Sequence, residues 1–155
     1  MIFNNPNQVN QDLPAKGRIV AIDVGTKRIG IALSDETRFI ATPKLVIARK
    51  SNQQDFEKIR KFIEENLVVA IVIGRPINME GQITEMTKFS ERFAENFDNF
   101  LQKKIPIFLF EERLTSFEAK NIDASELSRK KGEFVDDIAA SFILQHFLDS
   151  LSLVN

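Results

Sequence analysis

Three segments of this chain place acidic side chains in or against apolar runs. Asp23 interrupts "IVAIDVGTKRIG", Glu111 and Glu112 follow "IPIFLF", and Asp136 stands near the start of "VDDIAASFILQHFLDSL". A carboxylate in such a setting is costly unless it is paired, hydrogen-bonded or bound to a metal. With no cysteine and one histidine, His146, the chain offers an oxygen donor set. Oxygen donors suit Mg²⁺ or Mn²⁺, whereas zinc prefers nitrogen or sulfur. Such ions turn bound water into a nucleophile and clamp the oxygens of a phosphoryl displacement. Cations adjoin each acidic segment: Lys27 and Arg28 follow Asp23, Arg113 follows Glu112, and Arg129, Lys130 and Lys131 precede Asp136. They are suited to holding phosphates.

Each residue also has a structural reading. Asp23 could accept amides of the Gly25-Thr26 turn, Glu112 could pair with Arg113, and Asp136 could cap the helix that begins beside it. Helical projection sets Asp136 on one stripe with Ala140, Ile143 and Phe147, and turns Asp137 away by about 100°, toward solvent. Ala139 and Ala140 would let that helix approach a sheet closely. His146 reads as a surface or flank residue and is assigned no role.

The elements that must position these groups follow from hydrophobic period. "RIVAIDVG", "RIGIALSD" and "PKLVIARK" are short strands joined by tight polar turns, so they pair antiparallel. "DFEKIRKFIEENL" has Phe56, Ile59 and Ile63 at helical spacing. "VVAIVIG" and "IPIFLFEER" are continuous apolar runs that suit buried parallel strands. Between them, Met86, Phe89, Phe93, Phe97 and Phe100 form one helical stripe. A helix is expected to begin after Thr115 or Ser116, then a basic loop "SRKKGEF", then the closing helix. The expected architecture is α/β: a five-stranded mixed sheet, three antiparallel strands then two parallel, flanked by helices. In such sheets ligands collect outside the carboxyl ends of the strands, which is where Asp23, Glu111 and Glu112 fall.

At 155 residues the chain is expected to form one domain. Residues 1–16, polar and without periodicity, are expected to be a disordered leader outside a domain spanning 17–155. The absence of cysteine excludes disulfides, thiolate nucleophiles and iron-sulfur clusters. Fourteen Phe with no Tyr or Trp exclude Tyr nucleophiles and Tyr or Trp stacking platforms. A net charge of −1 means that a nucleic-acid partner must be met by a local basic patch. No signal peptide or apolar span is read, so a cytoplasmic location is expected.

From about Gly17 to Leu151 the sequence resembles the bacterial YqgF or RuvX-type family, the Holliday-junction-resolvase-like pre-16S rRNA nucleases. The motifs "IDVGTKRIGIALSD", "IVIGRPINMEGQ", "FEERLTSFEA" and "EFVDDIAASFILQHFLD" carry the resemblance. It departs from the family pattern at Arg75, where a less basic residue is usual, and at Glu80 and Glu111, where Asp is usual. The resemblance implies a ribonuclease H-like fold, with Asp23, Glu112 and Asp136 as catalytic and metal-binding carboxylates for Mg²⁺ or Mn²⁺. Gly25, Thr26, Lys27 and Arg28 would form the turn beside them. Substrate would be met by Thr26, Lys27, Arg28, Arg75, Arg113, Lys130 and Lys131, with the loop Gly74 to Gln82 bordering the groove. The implied activity is hydrolysis of phosphodiester bonds in pre-16S rRNA, on structured RNA or ribosomal precursor particles, by a monomer or homodimer. Resolution of Holliday junctions in branched DNA is the alternative. Two further readings stand beside it. "DVGTKRIGIAL" also resembles the phosphate-binding hairpin of actin-like and sugar-kinase-like ATPases, although those enzymes close two such lobes. A catalytically silent nucleic-acid-binding module is the other.

Overall fold

In Arg18–Val24 (β2), Ile19 and Ala21 face one side of a sheet and Val20, Ile22 and Val24 the other, all of them buried. Both faces are covered, so apolar residues fill both sets of alternate positions. The computed structural model describes residues 1–5, 8, 13–112 and 135–152. Arg28–Ser34 (β3) and Ala41–Ala48 (β4) extend β2 as antiparallel hairpins. The β3–β4 turn is closed by Asp35, whose carboxylate accepts a hydrogen bond from the Thr37 hydroxyl and from the amides of Phe39 and Ile40, each 2.9 Å away. These bonds, that from Thr37 first, lower its pKa to about 2.

The chain then enters Asn52–Glu65 (α1), capped by the Ser51 side chain on the Gln54 amide. It returns as Val68–Pro76 (β5), parallel to β2. Glu85–Phe100 (α2), capped by Thr84, leads to Ile107–Glu112 (β6), parallel to β5. Helices α1 and α2 cover one face through Phe56, Ile59, Phe93 and Phe97, with the Phe56 and Phe97 rings 5.0 Å apart. The expected Phe stripe on α2 holds from Phe89 onward, but Met86, in the first turn, is exposed. Val135–Ser152 (α3) packs Ala140, Ile143, Leu144, Phe147 and Leu148 on the opposite face.

Among the described residues the sheet has six strands, and with Ile2–Phe3 as β1 their order is β1-β6-β5-β2-β3-β4. The additional strand puts Ile2 and Phe3, from within residues 1–16, into the sheet. Ile2–Phe3 (β1) lies parallel to β6, with the Ile107 amide donating to the Met1 carbonyl at 2.9 Å and Phe3 stacked on Phe108. Leu13 packs against the α3 core, and Arg38 donates to the carbonyls of Gly17 and Pro14 at 2.8 and 2.7 Å. The edge of β6 would otherwise present unpaired backbone groups, and a two-residue strand is enough to cover part of it. A pair of residues has no period to detect. The expected helix after Thr115 or Ser116 and the loop "SRKKGEF" lie outside the described residues. Among the described residues no helix is long and apolar enough to cross a membrane.

Candidate active site

The face a strand residue occupies is set by parity, and parity sorts the acidic residues. Asp23 continues the series Ile19, Ala21 on the α3 side of β2. It lies directly opposite Gly30 of β3, whose missing side chain would point the same way. Helix α3 takes the space left there. A Cβ on Gly30 would stand 1.9 Å from the Asp136 carbonyl oxygen and 2.7 Å from the Asp137 nitrogen. The first turn of α3 therefore rests on bare β3 backbone, and this brings Asp136 over the end of β2 beside Asp23.

The two carboxylates sense each other. Burial, and secondly the charge of Asp136, raise the Asp23 pKa from its ordinary value to about 7. Asp136 is held by Arg28, whose Nε lies 2.7 Å from Asp136 Oδ2. Its carboxylate thus serves a long-range contact between α3 and β3. The Gly25 amide donates to the Arg28 carbonyl at 2.9 Å, so that amide closes the turn on backbone and not on Asp23. Asp137 corrects the helical projection: it is buried, 4% exposed. Because α3 sits directly on Gly30, the flank of its first turn is covered as well as its centre.

Parity also separates the two glutamates. Phe108 and Phe110 belong to the α3 side of β6, and Glu112 follows them there, with Oε1 2.8 Å from His146 Nδ1 on α3. Glu111 follows Ile107 and Leu109 to the other side. His146, given no role from sequence, is thus a contact of the Glu112 carboxylate. Its place one position before Phe147 on the core stripe was the available signal.

Glu112 stands apart from the aspartates. Strand β5 lies between β2 and β6, so their backbones are about 10 Å apart. Through the pairs Ile22 with Ile73 and Ile73 with Leu109, Asp23 is level with Phe110, and Glu112 is two residues further on. Among the described residues no three acidic or histidine side chains form a ready metal cage. The pair Asp23 and Asp136 fits a hard divalent cation as a donor set. Two adjacent carboxylate groups, one holding its proton to near neutrality, are a site where added positive charge would relieve both repulsion and protonation.

The expected phosphate-binding residues divide. Thr26 and Lys27 are exposed in the turn beside Asp23, and Arg28 borders it. Arg75 does not join them. It alternates with Gly74 onto the α2 side of β5, where its guanidinium contacts Glu91 and Glu111, each at 2.7 Å. The cleft it lines, about 520 Å³, also holds Glu95, and three carboxylates around one guanidinium repel phosphate. Arg75 is thus held by acidic partners on the side of the sheet away from Asp23 and Asp136. Arg113, Lys130 and Lys131 lie outside the described residues. In the loop that the sequence reading placed beside the groove, Ile77 pairs with Ile83, and Asn78 Oδ1 accepts from the amides of Glu80 and Gln82 at 3.1 and 2.7 Å.

A second residue missed from sequence is Arg49, which braces the Gly25 to Arg28 turn from the α1 side. Its amide donates to the Lys27 carbonyl at 2.9 Å, its Nη1 to the Gly25 carbonyl at 3.3 Å, and its Nε to the fully buried Asp55 at 3.2 Å. Arg49→Ala would leave Asp55 buried without its counter-charge. A loss of about 3 kcal/mol is expected, lowering the melting temperature by roughly 6 to 12 °C. Arg49→Lys should not restore it, because an ammonium cannot fork to both partners. Thermal melts of the three proteins test this, and an unshifted Arg49→Ala would remove Arg49 as the brace.

Comparison with known proteins places the chain in a family. A family model described as "RuvX: Holliday junction resolvase" matches residues 17–150. A "Putative pre-16S rRNA nuclease" of Thermoanaerobacter pseudethanolicus is 42% identical over 136 residues, covering 86% of this chain and 96% of its own. One of Zymomonas mobilis with the same description is 37% identical over 143 residues, covering 91% and 86%. Among solved structures, T. thermophilus RuvC in complex with a Holliday junction substrate aligns with a TM-score of 0.54 at 10% identity, over 86% of this chain and 96% of that one. The yeast mitochondrial Holliday junction resolvase Ydc2 aligns at 0.53 and 12%, over 94% and 84%. At those identities the likeness is one of fold, the ribonuclease H-like mixed sheet. The chain belongs to the RuvX family of Holliday junction resolvase-like proteins.

Proposed function

We propose that this chain is a cytoplasmic, metal-dependent endonuclease that hydrolyses phosphodiester bonds in structured RNA, with 5′-end processing of pre-16S rRNA as its reaction. The observation that carries the proposal is the carboxylate pair Asp23 and Asp136, set at the carboxyl end of β2 by the bare backbone of Gly30. Curated relatives described as pre-16S rRNA nucleases support the choice of substrate. Asp23 and Asp136 would hold Mg²⁺ or Mn²⁺, and Glu112 would supply a third carboxylate from the end of β6. Such an ion lowers the pKa of bound water and offsets charge on the phosphoryl oxygens.

The remaining work belongs to the chain's own residues. Asp23 must be ionised to hold the ion, so metal binding should release its proton and tighten as the pH rises toward about 7. His146 holds the Glu112 carboxylate toward α3. Lys27 and Thr26, exposed on the turn, meet the backbone of the substrate, and phosphate contacts position it without reading sequence. Recognition of structured RNA then depends on shape and 2′-hydroxyl contacts. The family's description favours a second reading, resolution of branched DNA.

A cleavage assay decides between them. A 5′-extended 16S rRNA precursor and a four-way DNA junction are offered side by side with Mg²⁺ or Mn²⁺. Cleavage of the RNA alone is expected. Cleavage of the junction alone would move the function to DNA, and cleavage of neither in any divalent metal would refute the nuclease.

A further inference from the structure

Arg28 opens β3, two residues before Gly30 and on the same side of the sheet. The backbone places Arg28 within reach of Asp136, because the first turn of α3 rests directly on Gly30. The guanidinium Nε sits 2.7 Å from Asp136 Oδ2, with the two side chains 48% and 26% exposed. It therefore takes up acceptor capacity on one of the two carboxylates proposed to hold a metal ion. We propose that Arg28 is a built-in counter-ion for Asp136, displaced when a divalent cation binds, and that the released guanidinium then meets a substrate phosphate.

The geometry suits an exchange. An ion pair this exposed is weak, so a divalent cation can outcompete it at modest cost. A guanidinium moved off a carboxylate is matched in shape and charge to a phosphate, which it can engage through two parallel hydrogen bonds. Displacement also couples the two ligands. Metal frees the group that binds phosphate, and phosphate holds that group away from Asp136, so each raises the affinity of the other by the same factor. The inference rests on the metal-site reading given above, and its test separates the two.

Mn²⁺ binding is measured by titration calorimetry on the wild type, Arg28→Gln, Arg28→Lys and Asp136→Asn, without and with an RNA hairpin. Removing the competing charge should tighten Mn²⁺ binding to Arg28→Gln by about two- to fivefold. Arg28→Lys, which keeps a charge but loses the fork, should fall between. The hairpin should tighten Mn²⁺ binding to the wild type and leave Arg28→Gln unmoved. Unchanged or weaker Mn²⁺ binding by Arg28→Gln, with binding still lost in Asp136→Asn, would overturn the counter-ion role and leave the metal site standing. No Mn²⁺ binding to the wild type would overturn both. Melts in EDTA confirm that each variant is folded, and should Arg28→Gln fail to fold, Arg28→Lys carries the same comparison.

Discussion

Asp23→Asn is expected to abolish cleavage and, in the absence of metal, to melt at a higher temperature than the wild type at pH 8. The first effect should reach about a thousandfold or more, the scale of losing several kcal/mol of charge stabilisation. The second follows from linkage. Asp23 ionises at about 7 in the folded protein, above its ordinary 3.8, so the native state binds its proton more tightly than the unfolded chain. Stability is then lost as pH rises from near 4 toward 7, and Asn, which carries no charge, escapes that loss. Because Asp23 is only partly buried, the expected gain is about 2 kcal/mol, or roughly 4 to 8 °C. The gain should shrink as the pH is lowered toward 4, where both states are protonated. Melts with EDTA across that range, run beside cleavage assays, test both parts. A variant less stable than the wild type at pH 8 would mean that Asp23 is ionised without penalty and is not the group under strain.

Gly30→Ala should be the most damaging small substitution in the sheet. Its methyl would meet the Asp136 carbonyl oxygen at 1.9 Å, a backbone atom inside a helix that cannot move alone. Either α3 lifts as a unit or β3 bends. The cost is expected at about 3 kcal/mol or more, lowering the melting temperature by at least roughly 6 °C. Cleavage should fall further than stability does, since Asp136 would be carried away from Asp23. Gly74→Ala is the control: its methyl would meet the Ile143 side chain, nearest at Cδ1, 2.6 Å away, the far end of a flexible side chain. That variant should lose about 1 kcal/mol and keep its activity. If both glycine variants behave alike, the contact of α3 on β3 is not what sets the carboxylates.

These expectations share one physical origin. The site is built where a strand gives up its side chains so that a helix can touch backbone, and the helix brings one carboxylate to another against their mutual repulsion. Arg28 on Asp136 and His146 on Glu112 are the partners that the fold supplies. They lie on the α3 side of the sheet, whereas Arg75 is bound to Glu91 and Glu111 on the α2 side. Neighbours in sequence, such as Gly74 and Arg75 or Glu111 and Glu112, are thereby parted by the thickness of the sheet.

What could be read from the sequence was whatever a local period records. The continuous apolar run of "RIVAIDV" and the helical spacing of Phe56, Ile59 and Ile63 determined the elements and most of their order, because burial of two faces or of one imposes those patterns directly. Asp23 stood out for the same reason, as a charge inside an apolar period. The tertiary structure alone decided which acids meet. Whether Glu111 or Glu112 shares a face with Asp23 depends on the register of β2, β5 and β6, and one residue of slip exchanges them. The burial of Asp137 depends on how closely α3 approaches Gly30, which helical projection cannot supply, since it gives an angle and no distance. The pairing of His146 with Glu112 joins residues 34 positions apart, and that of Arg28 with Asp136 joins residues 108 apart. Contacts at such separations leave no periodic trace in the chain, because they form only after the layers have packed.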